Sequence, residues 1–150
     1  MLDIESNFSR ADKIVTQSVA TIPENIDGLA GEIFKEIIGE KVTGYEIHEG
    51  TTNLLSSSGL LNVKRGQGNN DEGLMDGASS GNVFATYFHG IFHNYNFRRE
   101  FLNYLRVKKG LKAKYGEDPY ETQKDYSLNR LAEIVEEHLD MDTIDRLLFE

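Results

Sequence analysis

Two small groups of side chains in this sequence have the types and spacing for chemistry. The first centres on His89, within the run Asn-Val-Phe-Ala-Thr-Tyr-Phe-His-Gly-Ile-Phe-His-Asn-Tyr-Asn from Asn82 to Asn96. An imidazole titrates near neutrality, so it can take up and return a proton under physiological conditions. Val83 to Phe88 is apolar and β-prone, with Gly81 before it and Gly90 after it, which predicts a buried strand. Helical spacing takes over from Phe97. A histidine at the carboxyl end of a strand, ahead of a helix, stands where α/β folds bind ligands. A core histidine closing a strand fits the same residues, and the stretch alone leaves both readings open. The second group is Glu46 and His48 in Lys41–Gly50. A period of two places Val42, Gly44, Glu46 and His48 on one face and Thr43, Tyr45, Ile47 and Glu49 on the other. Neighbouring Glu and His can tune each other, although a solvated edge strand has the same pattern. No nucleophile or metal-ligand set accompanies these groups, so the residues alone do not name a reaction.

The elements that must position them follow from periodicity. Lys13 to Ile22 alternates and is rich in Val, Ile and Thr, predicting a strand that Pro23 stops. Ile26 to Ile38 reads as a covering helix. Leu29, Ile33 and Ile37 form one apolar row and Ala30, Phe34 and Ile38 the next, with Asp27 as N-cap and Gly39 just past the end. Leu54 to Val63 reads as a strand interrupted by serines. Lys64 to Gly81, with its glycines, Asn69, Asn70, Asp71 and Asp76, reads as a mobile surface loop or hairpin, and it lacks the spacing of a phosphate-binding loop.

Asn96 to Val107 reads as a helix capped by Asn94 or Asn96, with Phe97, Phe101, Tyr104 and Leu105 on one face and Arg98, Arg99 and Arg106 in solvent. After a polar connection, Lys108 to Lys124, Ser127 is the expected cap of a helix carrying Leu128, Leu131, Val135 and Leu139, with His138 structural beside the stripe. Asp142 to Phe149 is expected to form a last helix with Ile144, Leu147 and Leu148 inward. The sum is an α/β layer protein of roughly five strands and four helices.

Composition excludes several function classes. At 150 residues the chain can form one domain with a real core, and its balance of 39% hydrophobic and 27% charged residues is that of a globular protein. A net charge of −9 argues against nucleic acid or an anionic membrane as partner. No run has the length of a transmembrane helix and the N-terminus has no signal pattern, so a cytoplasmic location is expected. There is no cysteine, which excludes disulfides, thiolate metal sites and a thiol nucleophile within these residues. No metal site is read here. Residues 1 to 8 begin abruptly, as the inside of a domain does.

Two motifs carry a resemblance. Gly44-Tyr45-Glu46-Ile47-His48-Glu49-Gly50-Thr51-Thr52 resembles the Gly-Tyr-Glu-Ile-His-x-Gly-x-Thr signature of the cobyric acid synthase family. Ala85-Thr86-Tyr87-Phe88-His89-Gly90-Ile91-Phe92-His93-Asn94, followed by Phe97-Arg98, resembles its Gly-Thr-Tyr-Leu-His-Gly-Leu-Phe-Asp-Asn signature. Leu2–Ser6 through Val15–Gln17, and Leu131-Ala132 through Asp142, are similar to further stretches of that family in the same order.

The resemblance implies the C-terminal part of a class I glutamine amidotransferase domain across residues 1–150. That domain is three-layered and flavodoxin-like, here with extra C-terminal helices. His89 matches the family's catalytic histidine, the base for a cysteine that attacks the glutamine amide. The nucleophile-bearing part and an ATP-dependent synthetase domain are expected outside these residues. Tyr45, Glu46, His48, Thr86 and Tyr87 are substrate-pocket candidates. The implied partners are glutamine, the upstream part of the polypeptide and, through the synthetase, a corrinoid acceptor. That acceptor is adenosylcobyrinic acid a,c-diamide, amidated in cobalamin biosynthesis. No cofactor is implied for this chain; ATP and Mg2+ belong to the synthetase.

The sequence also departs from these patterns. Ile91 stands where the common class I domain has glutamate, a substitution in keeping with this family, and it leaves the third catalytic member open. Glu46 either assists or shapes the pocket. Ala85, Phe88, His93 and Glu49 replace a glycine, a leucine, an aspartate and an apolar residue of the signatures. Cobyrinic acid a,c-diamide synthase, an isoglutaminyl synthase glutaminase and a non-catalytic binding module are the alternatives.

Overall fold

The computed structural model describes residues 1–8 and 13–149. The join between the two stretches matched near the N-terminus falls partly in 9–12 and lies outside the described residues. The chain forms two compact units, Met1–Lys114 and Tyr115–Glu150.

In the first unit, a hydrophobic core sits under a five-stranded sheet. Its strands, with β1 being Ile4–Asn7 and β4 Thr51–Leu54 outside it, are β2 (Ile14–Thr21), β3 (Lys41–His48), β5 (Leu61–Arg65), β6 (Met75–Asp76) and β9 (Phe88–His89), in the order β6-β5-β2-β3-β9. Each of its pairings is antiparallel. β1 and β4 form a separate two-stranded ribbon, and β7 (Ala78–Ser80) pairs with β8 (Val83–Ala85) in another. The result is a mixed α/β unit with helices against a curled, antiparallel sheet.

The sequence dictates the core directly. Alternation along β3 buries Val42, Glu46 and His48 while Tyr45 stays 41% exposed, so the predicted face is an inner face rather than a solvated edge. The helix expected over 26–38 is shorter: α1 (Gly28–Phe34) tightens into a 3-10 turn, Lys35–Ile37. Ile38 then leaves the apolar row and is 43% exposed. Asp27 occupies the N-cap position without a side-chain cap bond. Instead the Leu29 N–H donates to Gly81 O at 2.7 Å, and the Ser79 hydroxyl donates to Asp27 O at 2.6 Å. Phe34 is the hub of the core. It stacks on Phe97 at 4.1 Å between ring centroids and meets Phe84 edge-on at 5.8 Å. Phe97 belongs to α2 (Tyr95–Lys108).

Two expectations about this unit need correction, and a third is narrowed. Val83 to Phe88 is not one buried strand. It breaks into β8 and β9 around Thr86 and Tyr87, and Val83 is 44% exposed. Leu54 to Val63 is likewise two strands, because Ser57 and Ser58 divert their hydroxyls to the Asp3 and Asp27 N–H groups at 2.8 and 2.9 Å. Of the mobile loop or hairpin expected over Lys64 to Gly81, the hairpin is what forms, with β5 and β6 paired antiparallel. The stretch holds all of β6 and β7 and buries Asn69 and Asp76. Asn69 bonds the Gly77 backbone, and Asp76 takes the Tyr87 N–H and the Thr86 hydroxyl inside the fold, as buried polar groups require partners.

In the second unit, α3 (Pro119–His138) begins earlier than expected. The Asp118 carboxylate accepts from the Tyr120 N–H at 3.0 Å, and Pro119 takes the first helical position. Ser127 is therefore inside the helix, donating to Gln123 O at 2.8 Å, and is not its cap. His138 contacts Ile134 O at 2.8 Å through Nδ1. In α4 (Met141–Phe149), Ile144 is half-buried, but Leu147 and Leu148 are 78% and 69% exposed rather than inward.

Removing the aromatic hub tests this account of the core. Phe34→Ala should lower unfolding stability by about 3–5 kcal/mol through lost transfer energy and the cavity left behind. Urea denaturation of the two proteins measures it, and a loss under about 1 kcal/mol would contradict the packing role.

Candidate functional site around His89

Tyr45 and His89 are directly opposed across β3 and β9, and their rings stack at 4.9 Å with 16° between planes. His89 is solvent-exposed, so it is not a core histidine. Its imidazole lies with one face on the phenol and can exchange a proton with a group presented from outside. Gly90 follows with φ +76°, a left-handed conformation that side chains resist, and this turn sends the chain straight into the 3-10 turn Ile91–His93.

The strand carrying His89 is only two residues long, so side chains fix it at both ends. Beyond it, Asn94 acts as a surrogate peptide for β3. Its Oδ1 accepts from the Thr43 N–H at 2.8 Å, and its Nδ2 donates to Thr43 O at 2.8 Å. The same Nδ2 also donates to Ile91 O at 2.8 Å. Asn94 occupies the expected N-cap position of α2 without a side-chain cap bond, and its carbonyl accepts the first helical bond, from the Arg98 N–H at 3.0 Å. Before the strand, the Asp76 carboxylate accepts from the Thr86 hydroxyl and, at 3.1 Å, from the Tyr87 N–H. The Phe88 N–H then donates to Thr86 Oγ1 at 3.0 Å.

The other candidates lie on the inner face of β3. Glu46 is fully buried, and its carboxylate accepts from the Ser18 hydroxyl, the Gln67 N–H at 3.0 Å and the Gly68 N–H at 2.9 Å. His48 is buried with its ring edge-on to Tyr87 at 4.0 Å. The Tyr87 hydroxyl shares a hydrogen bond with Thr52 Oγ1 at 2.6 Å, and Thr52 another with Ser6 Oγ at 3.0 Å. The six sequence candidates thus divide. Tyr45 joins His89 on the open face, whereas Glu46, His48, Thr86 and Tyr87 form a half-buried to buried polar layer behind it.

Sequence reasoning missed Asp76, Asn69 and Asn94. Asn69 makes a two-way amide pairing with Gly77, donating to its O at 2.8 Å and accepting from its N–H at 2.7 Å, which anchors the residue next to Asp76. The one available signal was the Asp76-Gly77 pair, followed by Ala-Ser-Ser, which has no strong strand preference. In a glycine-rich setting that pair reads as a turn. Among the described residues, no group of three or more His, Asp or Glu side chains converges as a metal-ligand set.

Burial raises the Asp76 carboxyl from its ordinary 3.8 to about 6; the bonds from Thr86 and Tyr87 pull it down and the charge of Glu46 adds to the rise. With the folded value above the unfolded one, the stability Asp76 contributes is full below pH 3.8 and is lost as pH rises through 6. Asp76→Asn removes that dependence. Relative to wild type, the variant should gain about 2 kcal/mol of stability between pH 4 and pH 7. Urea midpoints across this range check it, and parallel pH curves for the two proteins would refute the assignment.

Comparison with known proteins places this geometry in a family. Residues 1–97 match the CobB/CobQ-like glutamine amidotransferase domain. The chain is 46% identical over 149 residues to a probable cobyric acid synthase of Methanothermobacter thermautotrophicus and 42% identical over 149 residues to one of Methanosphaera stadtmanae. It is 37% identical over 153 residues to the cobyric acid synthase of Dehalococcoides mccartyi. These alignments cover 99–100% of this chain and 28% of each relative. No described helix is long and apolar enough to cross a membrane. With its matched region containing Tyr45, Glu46, His48, Thr86, Tyr87 and His89, the chain belongs to the CobB/CobQ-like glutamine amidotransferase domain family.

Proposed function

We propose that His89 is the general base of a glutamine-hydrolysing site whose cysteine nucleophile is supplied by polypeptide outside these 150 residues. The observation that carries the reading is the exposed imidazole, stacked on Tyr45 and held at a strand end in a family that hydrolyses glutamine. His89 takes the proton of the incoming thiol, and the thiolate adds to the carboxamide carbon of glutamine. The imidazolium returns that proton to the departing nitrogen, which leaves as ammonia, and a thioester remains. Water, deprotonated by His89, then attacks the thioester, releasing glutamate and restoring the thiol. Tyr45 orients the imidazole through its stack. Glu46, His48 and Tyr87 shape the pocket from behind, and Thr86 lies ahead of the strand that carries His89.

On this reading the antiparallel sheet is one part of a larger three-layer, flavodoxin-like amidotransferase domain, completed by the upstream part of the same polypeptide. The ammonia passes to an ATP- and Mg2+-dependent synthetase domain. That domain amidates the carboxylates of a corrinoid, adenosylcobyrinic acid a,c-diamide, in the cytoplasm, as part of cobalamin biosynthesis. The names of the relatives and the 28% share of their length that this chain spans support it.

Glutamate release from glutamine tests the proposal, measured for this chain and for the chain joined to the coding sequence immediately upstream, each as wild type and His89→Asn. Activity is expected in the longer protein only, falling about 100- to 10,000-fold in the variant, the usual range for a lost acid–base group. Activity indifferent to His89, or none in the longer wild type, would sink the assignment.

A further inference from the structure

We infer that Thr86 and Asp76 are positioning residues for His89, acting through a carboxylate–hydroxyl–amide relay that fixes the approach of β9. The inference rests on His89 being the base, as proposed above. β8 ends at Ala85 and β9 begins at Phe88, so Thr86 and Tyr87 are the only link between them. β9 pairs with β3 at just two positions, Tyr45↔His89 and Glu46↔Phe88. So short a ladder leaves the strand free to shift along or away from β3 unless something else holds it.

The relay supplies that constraint. Asp76 is fully buried on β6, at the opposite edge of the same sheet, and its two oxygens take the Thr86 hydroxyl and the Tyr87 N–H. The Thr86 oxygen in turn takes the Phe88 N–H at 3.0 Å. Three successive residues ahead of His89 are therefore tied to one carboxylate. That carboxylate is itself held by its backbone: Asp76 O accepts from the Leu60 N–H at 3.1 Å, and Gly77 is clasped by Asn69. The relay touches neither the imidazole nor the open face, so its effect on chemistry passes through where His89 sits. A displacement of about 1 Å in a catalytic group can cost roughly 100-fold in rate.

The test uses the longer, glutamine-hydrolysing protein. Thr86→Val keeps the shape of the side chain and deletes the hydroxyl, whereas Thr86→Ser keeps the hydroxyl. Thr86→Val should lower kcat about 10- to 100-fold while KM for glutamine moves less than about 3-fold, and Thr86→Ser should stay near wild type. In a His89→Asn background Thr86→Val should have no further effect, because a residue acting through His89 is silent without it. The His89 imidazole resonance in 13C-histidine-labelled protein should shift in Thr86→Val and not in Thr86→Ser. Thermal melts verify folding; if the valine variant does not fold, Thr86→Ala is read in its place.

A kcat fall equal in the presence and absence of His89, or a Thr86→Val enzyme with wild-type kcat and an unmoved His89 resonance, would overturn the relay. Activity that survives His89→Asn would instead overturn the assignment of the base, so the two failures are distinguishable.

Discussion

Taking a carboxylate out of water is costly unless its oxygens are met by donors, and two such groups organise the first unit. Glu46 draws the Ser18 hydroxyl of β2 and the backbone of Gln67 and Gly68 onto the inner face of β3. Asp76 draws in the segment ahead of β9. Neither can be satisfied unless the stretch 64–81 folds inward, so the least regular part of the chain becomes one of its more constrained parts. Gly66 shows how closely the pieces approach. Its φ is +141°, and a Cβ there would lie 2.4 Å from Glu46 Oε2 and 2.6 Å from Ser18 Oγ, leaving space only for hydrogen.

The division of β3 into two faces separates two tasks. The outer face offers an accessible imidazole on an aromatic support. The inner face carries a polar layer, Glu46, His48 and Tyr87, that reaches through Thr52 to Ser6 on the β1–β4 ribbon. The open face is where a reacting partner can arrive. The bonds that Glu46 accepts and the Tyr87–Thr52–Ser6 chain give that face rigidity, because bonded buried polar groups have few alternative arrangements. The Phe34–Phe97 stack anchors α2 to α1 beneath the same sheet, so the turn after His89 is held from the core side as well.

Much of this was legible in the sequence where one periodicity ruled. The alternation of β3 gave its faces, the rows of α1 gave the core contacts of Ile33 and Phe34, and the signature around His89 picked out the histidine that stands exposed against Tyr45. Legibility failed where side chains did the work of backbone. Asp76 and Asn69 sit among glycines and look like turn residues, because sequence pattern records polarity but not whether a polar group faces water or a buried N–H. Asn94 was readable as a cap and not as a partner for Thr43, fifty-one positions away. The break between β8 and β9 was hidden by an unbroken apolar run, since Thr86 and Tyr87 satisfy strand preferences while bonding to Asp76 and Thr52 instead. In α3, the Asp118-Pro119 start outweighed the later serine, as capping chemistry favours.

The carboxamide of Asn94 has a bearing on how the protein behaves in a crowded solution. A strand edge with free amides and carbonyls is a template for unwanted pairing between molecules. By filling both backbone positions of Thr43, Asn94 closes that position of β3 to any foreign strand, and β9 pairs with Tyr45 and Glu46. Where β9 does not reach, at Thr43, a single side chain takes the place of a further strand. The space above Tyr45 and His89 stays open to small molecules while the backbone of Thr43 is unavailable to a foreign strand.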